Sequence, residues 1–274
     1  MTYMTYNTTI GIIGFGFVGK AAYELGRLFK VNVYDPGVKE VSSKESITKA
    51  YTSDFVICCV PTPQGNDGSV DLSILEGSIN LWDSFNCDNI FVIKSTIPTG
   101  TVDTFCEKFK TKKIIHNPEF LTEKTHILDF LNPTDIVIGG DIETCRKLSE
   151  VYEKFYKTNE SKIPISICSA KEAELTKTIR NSFYATKIIF MNEVYELATK
   201  LGIDYHAFEK ILTNYGRHPW WGERHTQVPG PDGSFGFGGK CFPKDSAGLL
   251  ALAKSIEVDL SVLEAAVIKN KTIR

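Results

Sequence analysis

Ile10-Gly11-Ile12-Ile13-Gly14-Phe15-Gly16-Phe17-Val18-Gly19 decides how this chain is read. An apolar run enters three glycines at the spacing GxGxxG, and a segment of helical character, Lys20–Phe29, follows. The next apolar run, Val31–Tyr34, ends beside Asp35, 21 residues after Gly14. Strand, glycine turn, helix, second strand and terminal acid form the fingerprint of a dinucleotide-binding unit. Gly14 serves the tight turn, Gly16 a backbone bare enough to approach a pyrophosphate, and Gly19 the close packing of helix on strand. Phe15, Phe17 and Val18 complete the turn, whose helix-start N–H groups carry the phosphate charge. Asp35 accepts from ribose hydroxyls and repels a 2′-phosphate, which favours NAD over NADP; nearby Lys39 softens that preference.

Outward from this unit the alternation continues. Phe55–Val60, Ile90–Ile93, Lys113–His116 and Ile136–Ile138 read as further strands, rich in Val, Ile and Phe as strands buried on both faces are. Segments of helical length such as Leu72–Asp83 lie between them. The expected class is α/β: a Rossmann-type parallel sheet flanked by helices over residues 1–168, then a mostly helical domain over 169–274. From Ala170 to Leu201 there is no Pro or Gly, and Leu175, Ile179 and Phe183 recur every four residues. That predicts one helix of about 30 residues, roughly 45 Å long. A helix of that length overshoots a small domain, so a homodimer built on residues 170–201 is expected. Tyr205–Leu212, Ser246–Ser255 and Leu260–Lys269 read as shorter helices around a Gly- and Pro-rich loop, Asn214 to Phe242. A loop so long is usually functional or disordered, and the motif inside it favours function.

The 274 residues carry 42% hydrophobic and 23% charged side chains and a formal net charge of -2, so bulk electrostatics recruits neither nucleic acid nor an anionic membrane. The seven cysteines are odd in number and include no CxxC pair, which argues against a disulfide framework and a structural zinc site. MTYMTYNTTI lacks the basic start and apolar core of a signal peptide, and no apolar run spans a bilayer, so a soluble, cytoplasmic protein is expected.

The loop ends in Gly236-Phe237-Gly238-Gly239-Lys240-Cys241-Phe242-Pro243-Lys244-Asp245. Pro243 or Asp245 can start the following helix, which puts Cys241 just before a helix N-terminus with Lys240 and Lys244 beside it. Both features favour a nucleophilic thiolate. A lone loop cysteine is ordinarily an inert thiol; here the flanking Gly, Lys and Asp reverse that reading.

The chain closely resembles the UDP-glucose/GDP-mannose dehydrogenase family. The matching stretches are Ile12–Gly19, Cys59–Pro63 with Asp67–Leu72, Lys94–Thr101 (KSTIPTGT), Asn117–Glu123 (NPEFLTE), Ala173–Asn192 (AELTKTIRNSFYATKIIFMN) and Phe235–Asp245 (FGFGGKCFPKD), in the family's order. The resemblance implies that Cys241 is the catalytic thiol and Lys177 the catalytic lysine, with Asn181 one helical turn beyond it. It implies that Asp245, Thr96 and Glu119 position or activate water, and that Glu123, Thr96 and Lys244 neighbour the cofactor. It further implies sugar-nucleotide contacts from Phe120 and Leu121 and from the loop Gly230 to Gly238, including Pro231. Glu119, Glu123, Lys177, Asn181, Gly238 and Cys241 join these substrate contacts. Trp220 and Trp221 either cover the sugar nucleotide or pack beneath a loop; His116, His126, His206, His218 and His225 belong to no motif.

The implied reaction is a four-electron oxidation at the sixth carbon of a nucleotide sugar, UDP-glucose to UDP-glucuronate, with NAD as acceptor and Cys241 holding the aldehyde between two steps. Family members continue into a second α/β domain that helps hold the nucleotide, which this sequence is expected to lack. Two other readings stand beside this one: a two-electron hydroxyacid dehydrogenase of the related superfamily, which leaves Cys241 unexplained, and an NAD-binding protein without turnover.

Overall fold

The computed structural model describes residues 6–65, 69–157, 163–213 and 225–274. The chain divides into two compact units, Met1–Pro63 with Val70–Lys177 and Gln64–Ser69 with Thr178–Arg274.

The first unit is built on one sheet. Its strands are β1 (Tyr6–Ile13), β2 (Phe29–Tyr34), β3 (Phe55–Cys58), β4 (Ile90–Ile93), β5 (Ile114–His116), β6 (Ile136–Gly139) and β7 (Ile165–Cys168), in the order β2-β1-β3-β4-β5-β6-β7. From β2 to β5 neighbouring strands are parallel. The order reverses at β1, which lies between β2 and β3, so the crevice beyond the carboxyl ends of β1 and β3 is where such sheets take ligands.

Strand periodicity of two divides the core between the sheet's faces. Ile10, Ile12, Phe55, Ile57 and Val92 pack on Ala21 and Ala22 of α1 (Phe17–Ala22), Phe130 of α5 (His126–Leu131) and Leu148 and Tyr152 of α6 (Ile142–Phe155). Ile13, Val56, Cys58, Phe91 and Ile93 face the other way, onto α2 (Lys44–Tyr51), α3 (Ser73–Ser84) and α4 (Thr101–Lys108). Each large side chain buried this way stabilises the unit by about 1.5–3 kcal/mol. Local signals set the helix starts: Ser43 accepts the Ser46 N–H at the head of α2, and Asp141 the Thr144 N–H at the head of α6.

Helix α7 (Ala170–Lys200) follows β7, as the absence of Pro and Gly predicts. Its residues from Thr178 onward belong to the second unit, with α8 (Tyr205–Leu212), α9 (Phe242–Ser255) and α10 (Ser261–Ile273). Two small apolar clusters hold this unit. Ala185 and Ile189 pack with Phe237 and Ala266, and Met191 and Ala198 pack with Tyr205 and Val228. Among the described residues no helix is long and apolar enough to cross a membrane.

Three details differ from the sequence reading. The helix expected over Lys20–Phe29 starts at Phe17 and tightens into a 3₁₀ turn at Tyr23–Arg27. Phe29 instead opens β2, where its side chain joins the core. Strand β7 was not anticipated, because Ile165–Cys168 is short and only partly buried. The sheet is also not wholly parallel: β6 meets β5 antiparallel at His116 and Gly139, and β7 follows β6.

His116 is fully buried, its Nε2 3.3 Å from the Ser95 carbonyl. Burial, aided by the Lys94 and Lys177 ammonium groups, pushes its pKa down to about 3. The unfolded chain therefore binds this proton at a higher pH than the folded chain, and the stabilisation present at neutral pH is lost as pH falls below about 6.5. Urea unfolding of the wild type should lose up to about 1.4 kcal/mol per pH unit from this group between about pH 6 and pH 4. His116→Asn should lower stability at neutral pH but flatten that slope; an unchanged slope in the variant would exonerate His116.

Candidate functional site

In the first unit the glycine turn opens at the carboxyl end of β1. Gly14 has φ +87°, a left-handed conformation that side chains resist, and its N–H donates to the Tyr34 carbonyl at 2.9 Å. A methyl group at Gly19 would overlap the Gly14 carbonyl, so helix and turn touch backbone to backbone. A Cβ at Gly16 would meet nothing within 4 Å. Room at Gly16 and none at Gly14 or Gly19 is what a pyrophosphate needs over a helix start. Phe15 and Phe17 lean outward from the turn, onto the rings of Tyr23 and His126, and Val18 is half-buried beside buried Gly19. Asp35 stands at the end of β2, its Oδ2 accepting the Phe15 N–H at 2.6 Å and its Oδ1 the Gly37 N–H at 2.7 Å. The carboxylate is thus fixed beside the turn, half-buried, where a ribose would lie; Lys39 is exposed in the following 3₁₀ turn. The residues present fit a dinucleotide.

The ends of β4 and β5 carry the second group. Lys94 follows β4 directly and is 4% exposed, with its Nζ 2.8 Å from Asn117 Oδ1 and 3.0 Å from Glu119 Oε2. Burial alone would drive the ammonium toward neutrality; the Glu119 carboxylate overrides it, and the Lys94 pKa rises above its ordinary value. Asn117 Oδ1 also accepts the Tyr152 hydroxyl at 2.6 Å, and its Nδ2 donates to the Val137 carbonyl. Glu119 is therefore no exposed loop carboxylate: its Oε1 accepts the Phe120 N–H while Oε2 meets Lys94. Lys177, near the start of α7, donates to the Glu119 carbonyl at 2.5 Å and sits 5.4 Å from the Phe120 ring centre. Two lysines thus grip one residue, one at its side chain and one at its backbone. Thr96 lies two residues beyond Lys94, its carbonyl accepting the Thr62 hydroxyl. The loop it begins is fastened by Glu174 of α7, whose carboxylate accepts the Gly100 and Val102 N–H groups at 2.6 and 2.8 Å. Burial pushes that carboxyl up to about 7 against the pull of the two N–H groups. Leu121 packs against the core, whereas Glu123 is exposed at the start of a 3₁₀ turn.

The second unit gathers the remainder. Cys241 is the N-cap of α9, exposed and in no disulfide, with Pro243 in the first turn. The Asp245 N–H donates to the Cys241 carbonyl at 2.8 Å, closing that turn. The Asp245 carboxylate is buried and sits between the Asn181 amide at 2.5 Å and the Lys244 ammonium at 2.8 Å. Carboxylate, amide and ammonium therefore meet in the first turn of the helix that Cys241 caps. Upstream, Pro231 is exposed in a compact turn closed by the Gly230 and Ser234 backbones, and Gly238 is half-buried. Asp67, Trp220 and Trp221 lie outside the described residues.

Sequence reasoning assigned no role to Lys94, Asn117, Tyr152 or Glu174. Lys94 left one signal: a lysine immediately after a strand buried throughout, at the carboxyl edge of a parallel sheet.

Residues 24–158 match the NAD binding domain of the UDP-glucose/GDP-mannose dehydrogenase family, and residues 171–272 match its central domain. UDP-glucose 6-dehydrogenase TuaD of Bacillus subtilis (strain 168) is 28% identical over 263 residues, covering 89% of this chain and 54% of that protein. UDP-glucose 6-dehydrogenase of Rickettsia felis is 32% identical over 258 residues, covering 92% and 52%. The chain thus spans about half the length of the curated relatives it matches. The solved UDP-glucose dehydrogenase of the hyperthermophilic archaeon Pyrobaculum islandicum superposes with a TM-score of 0.82 at 24% identity, over 98% of this chain and 69% of that one, and so shares the fold.

Breaking a buried pair strands its partner, so Lys94→Met should lower the unfolding free energy by about 3 kcal/mol. Adding Glu119→Gln to that variant should restore at least half of the loss, read by urea denaturation. A double variant no more stable than the single one would mean that Lys94 does not act through Glu119.

Proposed function

The chain belongs to the UDP-glucose/GDP-mannose dehydrogenase family, and from that membership we propose that it oxidises the sixth carbon of a nucleotide sugar from alcohol to carboxylate, with UDP-glucose as substrate and UDP-glucuronate as product. The observation that carries the reading is the exposed Cys241 at the head of α9, one turn before a buried Asp245 bonded to Asn181. A helix N-terminus and neighbouring ammonium groups lower a thiol pKa and supply thiolate at neutral pH. NAD held at the glycine turn of the first unit would supply the hydride acceptor, one molecule for each of two successive oxidations.

The chain's own groups do the rest. Asp245, with Lys177 and a water, takes the alcohol proton as the first hydride leaves the carbon. The Cys241 thiolate adds to the aldehyde, and the Lys177 ammonium and Asn181 amide stabilise the thiohemiacetal oxyanion. Loss of the second hydride leaves a thioester on Cys241. Water positioned by Thr96, Glu119 or Asp245 attacks it, expels the thiolate and frees the carboxylate. Per sugar, one water is consumed, and two hydrides and three protons are released. Glu119, Phe120, Leu121, Glu123, Pro231 and Gly238 are proposed to contact the sugar nucleotide, and Glu123, Thr96, Lys244 and Lys39 to neighbour the dinucleotide. The division proposed is an NAD-binding domain over 1–168 and a central, dimer-forming domain over 169–274. A reducing cytoplasm suits a thiolate nucleophile beside six further thiols.

A homodimer through α7 is part of the proposal. Ile179, Phe183, Phe190 and Leu197 are all 49% or more exposed and recur at spacings of four and seven, an apolar stripe that a second copy would cover. Sedimentation should find a dimer at micromolar concentration, and Phe183→Glu with Leu197→Glu should yield monomers that keep the helical circular dichroism. A monomeric wild type would remove the dimer from the reading.

With UDP-glucose and NAD, two NADH should form per sugar, and Cys241→Ser should abolish net carboxylate while trapping an intermediate. Two NADH at near-normal rate from Cys241→Ser would sink the covalent route. One NADH per substrate in the wild type would favour a two-electron dehydrogenase instead.

A further inference from the structure

The segment that leads to Cys241 is irregular, yet its backbone is not left to solvent. The Gly236 N–H donates to Asn192 Oδ1 of α7 at 3.0 Å. The Phe237 N–H donates to Asn270 Oδ1 of α10 at 2.7 Å, and Asn270 Nδ2 returns a bond to the Phe237 carbonyl at 3.0 Å. Arg274, just past α10, donates to the Phe235 and Gly236 carbonyls and pairs with Asp232. Asn192 and Asn270 of two helices, with Arg274 just beyond the second, therefore bond the backbone of three consecutive loop residues, as a neighbouring strand would. The fit is close: Gly236 has φ +71°, and a methyl group there would overlap the Asn270 amide. Phe237 and Phe242, on either side of Cys241, are anchored in one apolar cluster with Ala185, Ile189 and Ala266. Only Gly238, Gly239, Lys240 and Cys241 lie between the two anchors.

We infer that Asn270, seconded by Asn192, is a positioning residue for Cys241: it fixes the Phe237 backbone and so sets where the thiol stands at the head of α9. Neither asparagine touches the reacting atoms. The importance of this positioning rests on Cys241 being the nucleophile proposed above, whereas the geometry does not. If Asn270 becomes Ala, two backbone groups of Phe237 lose their partners and the four-residue span is released at one end. The thiol then leaves the site that favours its thiolate.

Thiol reactivity tests this without turnover. Alkylation of Cys241 by iodoacetamide, followed from about pH 6 to about pH 10 and counted on its own peptide by mass spectrometry, gives a rate and a titration midpoint. Asn270→Ala should slow the neutral-pH rate about fivefold and raise the midpoint by roughly one unit. Asn270→Asp, which keeps the acceptor for the Phe237 N–H, should recover part of the loss, and exposed Lys271→Ala should match the wild type. An Asn270→Ala profile that overlays the wild type overturns the inference. Should that variant fail to fold, hydrogen exchange on the wild type decides: slow exchange at Gly236 and Phe237 supports the clamp, and free exchange at both ends it. Failure of the dehydrogenase reading would look different, with the alkylation shift intact and no NADH formed.

Discussion

An ammonium withdrawn from water costs several kcal/mol unless charge and hydrogen-bond partners surround it. Lys94 meets that condition only because Glu119, Asn117 and, through Asn117, Tyr152 of α6 are all in place. The requirement works in both directions. The ammonium needs those partners, and in needing them it freezes the short stretch that leaves β5. That stretch then offers Lys177 a fixed carbonyl at Glu119. The candidate site of the first unit is therefore organised from beneath, by a charge that is itself almost wholly buried. The pair is not there for stability alone, since an apolar pair of similar volume would serve a core as well. Its effect is to give one loop one conformation.

The second unit solves the same problem with neutral groups. A loop that must present a thiol cannot be a strand or a helix, yet its polar backbone cannot be buried unpaired. Asn192 and Asn270 supply bonds that a sheet would otherwise provide, and glycine permits the approach of the amides. Ion pair and amide clamp are two forms of one device: irregular chain held rigid by side chains from regular elements.

Much of this was legible beforehand. The glycine turn with Asp35, the two-faced apolar strands and the uninterrupted Ala170–Lys200 helix follow from local chemistry, so local pattern reveals them. The head of α9 was legible too, because Cys241 precedes a proline that suits a first helical turn. What escaped depends on tertiary placement. The reversal of β6 leaves no mark in its own residues, since an all-buried strand looks the same in either direction. Phe29 reads equally as the end of a helix and the start of a strand until the core claims it. Lys94 resembles any surface lysine until Glu119 is found beside it, and Asn192 and Asn270 resemble any polar helix residue until Gly236 and Phe237 arrive.

Helix α7 touches the segment that presents the thiol at two places: Asn181 meets Asp245 at its far end, and Asn192 meets Gly236 at its near end. Those asparagines are eleven residues apart, which in an α-helix is about three turns and roughly 16 Å, on nearly the same side. The ten residues from Gly236 to Asp245 thus form a bridge between two abutments whose separation the helical pitch dictates. An inserted or deleted residue in that bridge would find no matching adjustment in the helix, and would have to buckle the roadway or tear loose one footing.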